Sequence, residues 1–420
     1  MTYYAGVSKI TTGNTYILSY GDGIFVPGGA YVASEGSSSI VSDGLNNVVA
    51  SVAGSVSGLT QGIRLGNNAA AHNMTVNVFS TGVVSGQAAG VTVYGYDARV
   101  TNFGTISGIF GLGLIGDTSA SSASYINNGG TIVGSYIGIS VAGSDRHILR
   151  NSGTIDGALY SYSSSDASVD KMFNSGHMYG DVNLGAGSDT FDNLGGTLFG
   201  TVFGVAGNDY FAAGASVDNF DGGADIDTVR FDLGGAVRVA LDRSVANTGW
   251  AAGDSYTGIE NVIGSNLGAD ILIGDNQNNN FSGGGGNDFL STGLGNDRLE
   301  GGQGIDRLIG GAGNDAFFFI KPTDGGDMIL DFSSNAVGND DYFFIYSVLF
   351  GGGLTPGVLA AGAFLASAGN VGTDADDRFI LRTGDKTVWF DVDGAGGVAP
   401  VMIADLQATA TVTASDFIMF

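Results

Sequence analysis

The chain has no cysteine, four prolines, three histidines and 15 lysines and arginines in 420 residues. Lack of cysteine rules out a disulfide scaffold, although it fits any compartment. So little proline beside 74 glycines points to turn-rich β structure and away from helix bundles. No apolar run reaches the ~20 residues of a membrane-spanning helix. Residues 1–4 lack the basic start of a Sec-type signal, and neither apolar core nor cleavage site follows, so an exported chain needs another address. No histidine precedes a glutamate, which excludes the H-E-x-x-H zinc site, and a G-x-S-x-G elbow is absent too. His72, His147 and His177 are scattered and read as loop or rung residues. A net charge of −26 argues against nucleic acid as partner.

The charge is unevenly spread. Residues 1–180 hold 9 acids and 6 bases, a balance of −3; residues 181–420 hold 32 acids and 9 bases, a balance of −23. Only three of the 41 acids are glutamate. A merely solubilising surface would mix both acids, whereas short aspartate suits tight oxygen cages in turns. Without a cation this half repels itself, so metal binding and folding should be coupled.

What is present in that half is a nonapeptide repeat. Frames starting at 265, 274, 283, 292, 301 and 310 place Asp270, Asn279, Asp288, Asp297, Asp306 and Asp315 sixth. They place Leu272, Phe281, Leu290, Leu299, Leu308 and Phe317 eighth. A weaker frame over 256–264 puts Asn261 sixth and Ile263 eighth. Glycine at positions one, two and four is expected to take φ > 0 and turn the backbone so that carbonyls converge. The sixth-position carboxylate completes an oxygen cage for a hard cation of calcium size. The eighth residue belongs inside, between two sheets. Nine residues make half a coil, so each loop should stack on the second one along, at ~4.7–4.9 Å.

The motif resembles the GGxGxDxUx repeat of RTX (repeat-in-toxin) proteins, with "GGGGNDFLS", "GGQGIDRLI" and "GGAGNDAFF" as close matches. That resemblance implies several Ca2+ ions in a parallel β-roll. The ligands expected are carboxylates of Asp270, Asp288, Asp297, Asp306 and Asp315 with backbone at Gly283, Gly285, Gly301, Gln303, Gly310 and Ala312. Asp288 would share an ion with the loop of Asp306, and Asp297 with that of Asp315. RTX-like units also occur at 184–192 and 204–212, offering Asp189 and Asp209, and a degenerate one at 222–230 offers Asp227 with Asp225 where glycine is expected. The segment 324–332 resembles the closing part of an RTX roll, with Asp324, Asp327 and Asp331, and with Asp340 and Asp341 near.

A looser repeat runs before residue 200. Its core, N-x-G-T-I-x-G, occurs at 102–108 and 151–157, with variants at 127–134, 174–180 and 193–200. The glycine before each strand falls at 82, 104, 130, 153, 176 and 196. Such 20–26-residue units with short strands indicate a parallel β-helix. Asparagines suit stacked side-chain ladders at a corner, and Thr/Ile the inward strand. The stretch resembles the β-helical passenger regions of adhesins and autotransporters.

The expected fold is therefore all-β: a parallel β-helix (solenoid) running into a calcium-binding RTX β-roll, with a C-terminal secretion-signal region. Its expected parts are an N-terminal β cap (1–50), the β-helix (51–212), a degenerate repeat and insertion (213–255), the roll (256–332), and a C-terminal cap with secretion signal (333–420). Residues 374–420 resemble the tail of type I secretion substrates, which implies export by that machinery to the outside of a Gram-negative cell. Catalytic candidates are Tyr94, Tyr96, Asp97 and Arg99, or Asp145, Arg146, His147 and Arg150. Both groups read more simply as charged loop residues. The resulting expectation is a secreted, calcium-dependent structural or adhesive protein of the cell surface, matrix or biofilm. It would self-associate or bind a surface glycan; the alternative is a polysaccharide epimerase or lyase.

Overall fold

Short strands alternate along the whole chain, and nearly every one pairs in parallel with a strand about one coil later. The computed structural model describes residues 3–5, 9–11, 16–18, 22–42, 47–66, 71–116, 122–143, 146–335 and 339–420. They divide into two units, 1–227 with 254–258, and 228–253 with 259–420. Among the described residues no helix is long and apolar enough to cross a membrane.

The first unit is a parallel β-helix built from rows of stacked apolar side chains. One row runs Ile24, Ala50, Val76, Val100, Ile126, Leu149, Met172, Phe191 and Phe211. A second runs Val32, Val56, Val84, Ile106, Ile132, Ile155, Met178 and Leu198. All are buried, and each large side chain contributes about 1.5–3 kcal/mol. Isoleucine faces inward as expected, but threonine does not. Thr105, Thr131 and Thr154 are only half-buried, because successive strand residues point to opposite faces. The glycines before these strands are there for closeness rather than for turning. A Cβ on Gly104, Gly130, Gly153 or Gly176 would strike the carbonyl of the equivalent glycine one coil earlier.

The described strands of residues 23–42 stack on the β-helix. Gly23–Val26, Tyr31–Ser34 and Ile40–Ser42 pair in parallel with Val49–Val52, Ser55–Gly58 and Gln61–Leu65. Helix coils thus begin before residue 51; much of 1–21 lies outside the described residues.

At one corner the asparagines form a buried ladder. Asn102 Nδ2 donates to Asn128 Oδ1 at 2.8 Å, Asn128 to Asn151 at 2.8 Å, Asn151 to Asn174 at 2.7 Å and Asn174 to Asn193 at 2.6 Å. Asn193 then donates to Asp218 Oδ1 at 2.6 Å. Breaking one rung leaves buried amide groups short of partners. Asn151→Ala should therefore cost about 2–4 kcal/mol, read as a lowered thermal midpoint. Exposed Asn127→Ala should change stability by less than about 0.5 kcal/mol.

In the second unit the eighth-position residues stack in two columns, 18 residues per step. Phe281 meets Leu299 and Leu299 meets Phe317 in one sheet; Leu272, Leu290 and Leu308 align in the other. Loop n therefore pairs with loop n+2. The weak frame over 256–264 is displaced by one residue: Val262, not Ile263, is fully buried and pairs with Phe281. The stretch 231–255 is more than an insertion. Val237–Ala240 forms a rung in which Val239 stacks on Leu272, and only the antiparallel return to Thr248–Gly249 is extra.

The chain end closes both columns. Phe317 is followed by Phe343 and Phe417, and Leu308 by Ile329 and Leu406. Phe417 stacks on Phe343 at 4.8 Å and Phe379 at 4.5 Å. The tail read as an export signal is thus also a core strand.

Candidate metal centre

The glycine-rich turns take their shape from two positions, not three. Second-position Gly284, Gly293, Gly302 and Gly311 have φ between +92° and +110°, and fourth-position Gly286, Gly295, Gly304 and Gly313 lie between +129° and +142°. First-position Gly283, Gly301 and Gly310 are not left-handed. They are glycine because the sixth-position carboxylate of the same frame lies where a Cβ would go: Asp288 Oδ2 over Gly283, Asp306 Oδ2 over Gly301, Asp315 Oδ2 over Gly310. The Gly301 carbonyl also points at that spot on Gly283, 2.6 Å from the Cβ position. A side-chain and a backbone oxygen thus converge in the turn at Gly283.

These aspartates stand in columns. The Asp270 N–H donates to Asp288 Oδ1 at 2.7 Å, that of Asp288 to Asp306 at 2.7 Å, and that of Asp306 to Asp327 at 3.0 Å. On the other side Asn279 donates to Asp297 at 2.7 Å, Asp297 to Asp315 at 2.9 Å and Asp315 to Asp341 at 3.0 Å. The first unit holds a third column, Asp170 to Asp189 at 2.7 Å, Asp189 to Asp209 at 2.8 Å and Asp209 to Asp227 at 2.7 Å. In the degenerate unit Asp225 has φ +78°, so the turn persists without its glycine.

Each accepting Oδ1 is thus satisfied, while Oδ2 differs from residue to residue: that of Asp270 accepts the Ser265 N–H and that of Asp341 the Ser333 N–H. In Asp189, Asp209, Asp288, Asp306 and Asp315 Oδ2 is buried and hydrogen-bonds nothing among the described residues. Burial, helped by neighbouring carboxylates and opposed by the backbone N–H bonds, drives these groups toward the neutral form. Asp189 and Asp327 are pushed up to about 8, and Asp209, Asp288 and Asp315 to about 7. Asp297 and Asp341 rise to about 6; Asp270 and Asp306 are also raised. A buried carboxylate oxygen with no partner costs free energy unless a cation or proton meets it.

Among the described residues no three acidic, imidazole or thiol side chains converge. A cation here must draw on carbonyls as well as carboxylates, the donor set of a hard ion such as Ca2+. Three expected backbone donors are already partly engaged: Gln303 O accepts Gly286 N–H at 2.8 Å, Ala312 O accepts Gly295 N–H at 3.0 Å and Gly310 O accepts the Thr292 hydroxyl at 2.9 Å. Each carbonyl retains a second lone pair. Asp324 stands apart, with Lys321 Nζ 3.3 Å from Oδ1.

One column member, Asp170, escapes the sequence reading, and Asp341 reads there only as lying near the closing carboxylates, not as following Asp315 in a column. Asp170 follows a stretch without glycine, and Asp341 lies 26 residues after Asp315, far from the nine-residue register. The catalytic groups are not assembled. Arg146 and Arg150 face out while His147 is buried between them, 3.0 Å from Asp170; Asp145 lies outside the described residues. Tyr96 packs on His72 at 5.3 Å and Arg99 stacks over Tyr125 at 5.0 Å, while Asp97 sits in a turn at φ +56°.

A family model described as the RTX calcium-binding nonapeptide repeat (4 copies) matches residues 194–229, 265–299 and 291–319. No curated protein matches the chain. The matched stretches contain Asp209, Asp288, Asp306 and Asp315 of the carboxylates that lack partners, and Asp189 lies just before the first stretch. The chain therefore carries hemolysin-type RTX repeats that bind Ca2+ at several turns.

Proposed function

We propose that this is a secreted, calcium-dependent structural or adhesive protein of a bacterial surface layer, filament or matrix. The observation that carries the reading is the set of buried aspartate columns in which Oδ2 of Asp189, Asp209, Asp288, Asp306 and Asp315 hydrogen-bonds nothing among the described residues. Calcium would be held by the carboxylates of Asp189, Asp209, Asp227, Asp270, Asp288, Asp297, Asp306, Asp315 and Asp327, with the carbonyls of Gly283, Gly285, Gly301, Gln303, Gly310 and Ala312. Asp324, partly neutralised by Lys321, would be the weakest donor. Such a chain stays soft where calcium is scarce and stiffens outside the cell, which suits export in an unfolded state by type I machinery. Stacked strands end in edges that present unpaired backbone groups, and complementary edges permit end-to-end association.

The test is calcium-triggered assembly of the full chain. Light scattering should rise on adding Ca2+ and fall in EGTA, with ordered arrays or fibres visible by electron microscopy. A protein that folds with calcium yet stays monodisperse would overturn self-assembly and leave a monomeric adhesin. Turnover of a polysaccharide would overturn the structural reading.

A further inference from the structure

Four of the six lysines and arginines of residues 1–180 occupy one sheet face of the first unit. Arg99, Arg146, Arg150 and Lys171 lie on Arg99–Asn102, Arg146–Asn151 and Lys171–Asn174, strands within a single parallel run. All four are exposed, alternating with the inward Val100, His147, Leu149 and Met172. Two are held in place by rings: Arg99 over Tyr125 at 5.0 Å and Arg150 over Phe173 at 4.6 Å. Stacking fixes the guanidinium plane and leaves its edge donors facing outward.

Beside this face runs a groove whose origin is legible residue by residue. The position after each ladder asparagine is Phe103, Gly129, Ser152, Ser175 and then Leu194. Three small residues between two large ones leave an open trough of about 470 Å³, with Arg150 and Phe173 on its side. Phe103 is 57 % exposed, and any Cβ on Gly129 would come within 2.8 Å of its ring. Among the described residues the acids nearby are few. Asp192, on the next strand, accepts Leu194 N–H at 3.1 Å, Asp97 precedes Arg99 in a turn, and Asp170 is buried against His147 and Tyr162.

We propose that this face binds an acidic polysaccharide, a sugar chain carrying about one carboxylate per ring. The inference rests on the adhesive reading above and names its partner. Four cations spread over strands ~4.8 Å apart match sparse charge, whereas duplex DNA presents one charge per ~1.7 Å. The exposed Phe103 ring suits the C–H face of a sugar ring. A peptide strand has no purchase, because the backbone groups here are already paired with neighbouring strands.

The experiment is fluorescence anisotropy on the calcium-loaded full chain with labelled polygalacturonate oligosaccharide. Neutral maltohexaose and an oligodeoxythymidylate serve as comparison probes. Polygalacturonate should bind, more weakly as salt is raised, and maltohexaose should not. Arg99→Gln/Arg150→Gln, with unchanged circular dichroism in calcium, should bind about tenfold more weakly. Equal binding by this variant would overturn the proposal in favour of calcium bridging elsewhere. Equally tight binding of the oligonucleotide would overturn it in favour of a general polyanion face. No binding by a protein that still folds with calcium would sink the glycan inference alone; failure to fold with calcium would sink the parent reading.

Discussion

In EGTA at pH about 8 the second unit should lose most of its thermal stability, and acid should restore part of it. The reasoning starts from carboxyls whose folded, metal-free pKa lies above the ordinary 3.8: about 7 for Asp288 and Asp315 and about 8 for Asp327. Below pH about 4 these groups are protonated in both folded and unfolded chains, so burial carries no charge penalty. As pH rises, the unfolded chain ionises first. Metal-free stability therefore falls from pH about 4 and is lowest above about 8. Calcium reverses the trend, because it stabilises the ionised form and protons compete with it.

The calcium effect is the larger one. An ion at hundredfold excess over its Kd adds about 2.7 kcal/mol per site, so four sites add about 11 kcal/mol. At about 2–4 °C per kcal/mol for a unit of this size, the midpoint should rise by about 20–40 °C. Circular dichroism melts across pH, with EGTA or excess calcium, read both effects. A midpoint indifferent to calcium, or metal-free stability that rises toward pH 8, would contradict the argument.

Gly304→Ala should be the most damaging single substitution in the roll. Gly304 has φ +141°, a region closed to side chains other than hydrogen, and its Cβ would collide with the Gly286 carbonyl two loops back. Neither atom is at the end of a flexible chain, so the stack must open. A loss above about 4 kcal/mol is expected, seen as a midpoint lowered by about 10 °C or more in saturating calcium. Gly384→Ala is the control, since open space surrounds its Cβ position, and should move stability by less than about 0.5 kcal/mol. Similar effects for both glycines would mean that close stacking of the turns is not what holds the roll.

Much of the site was legible because each position of the nonapeptide has one physical task. Asp288, Asp297, Asp306 and Asp315 stand at a constant offset from Leu290, Leu299, Leu308 and Phe317, and a strict period needs no knowledge of distant contacts. The asparagines of the corner were legible from the recurring N-x-G-T-I-x-G motif, although its spacing is not constant. First-position glycine was misread, since sequence cannot distinguish a glycine needed for positive φ from one cleared for a neighbouring carboxylate.

Local chemistry along the chain thus determined the nine-residue period, the oxygen-rich turn, the apolar column and the placement of negative charge beyond residue 180. Tertiary stacking alone decided which aspartates join a column from outside the nine-residue register. Asp170 joins Asp189 across 19 residues, Asp306 joins Asp327 across 21, and Asp315 joins Asp341 across 26. The same stacking made a rung of Val239 and put Phe417 into the core. The physical reason is that parallel strands pair whatever lies at equal height in adjacent coils. Height is set by the total path around a coil, and insertions alter its length in residues without altering the strand spacing.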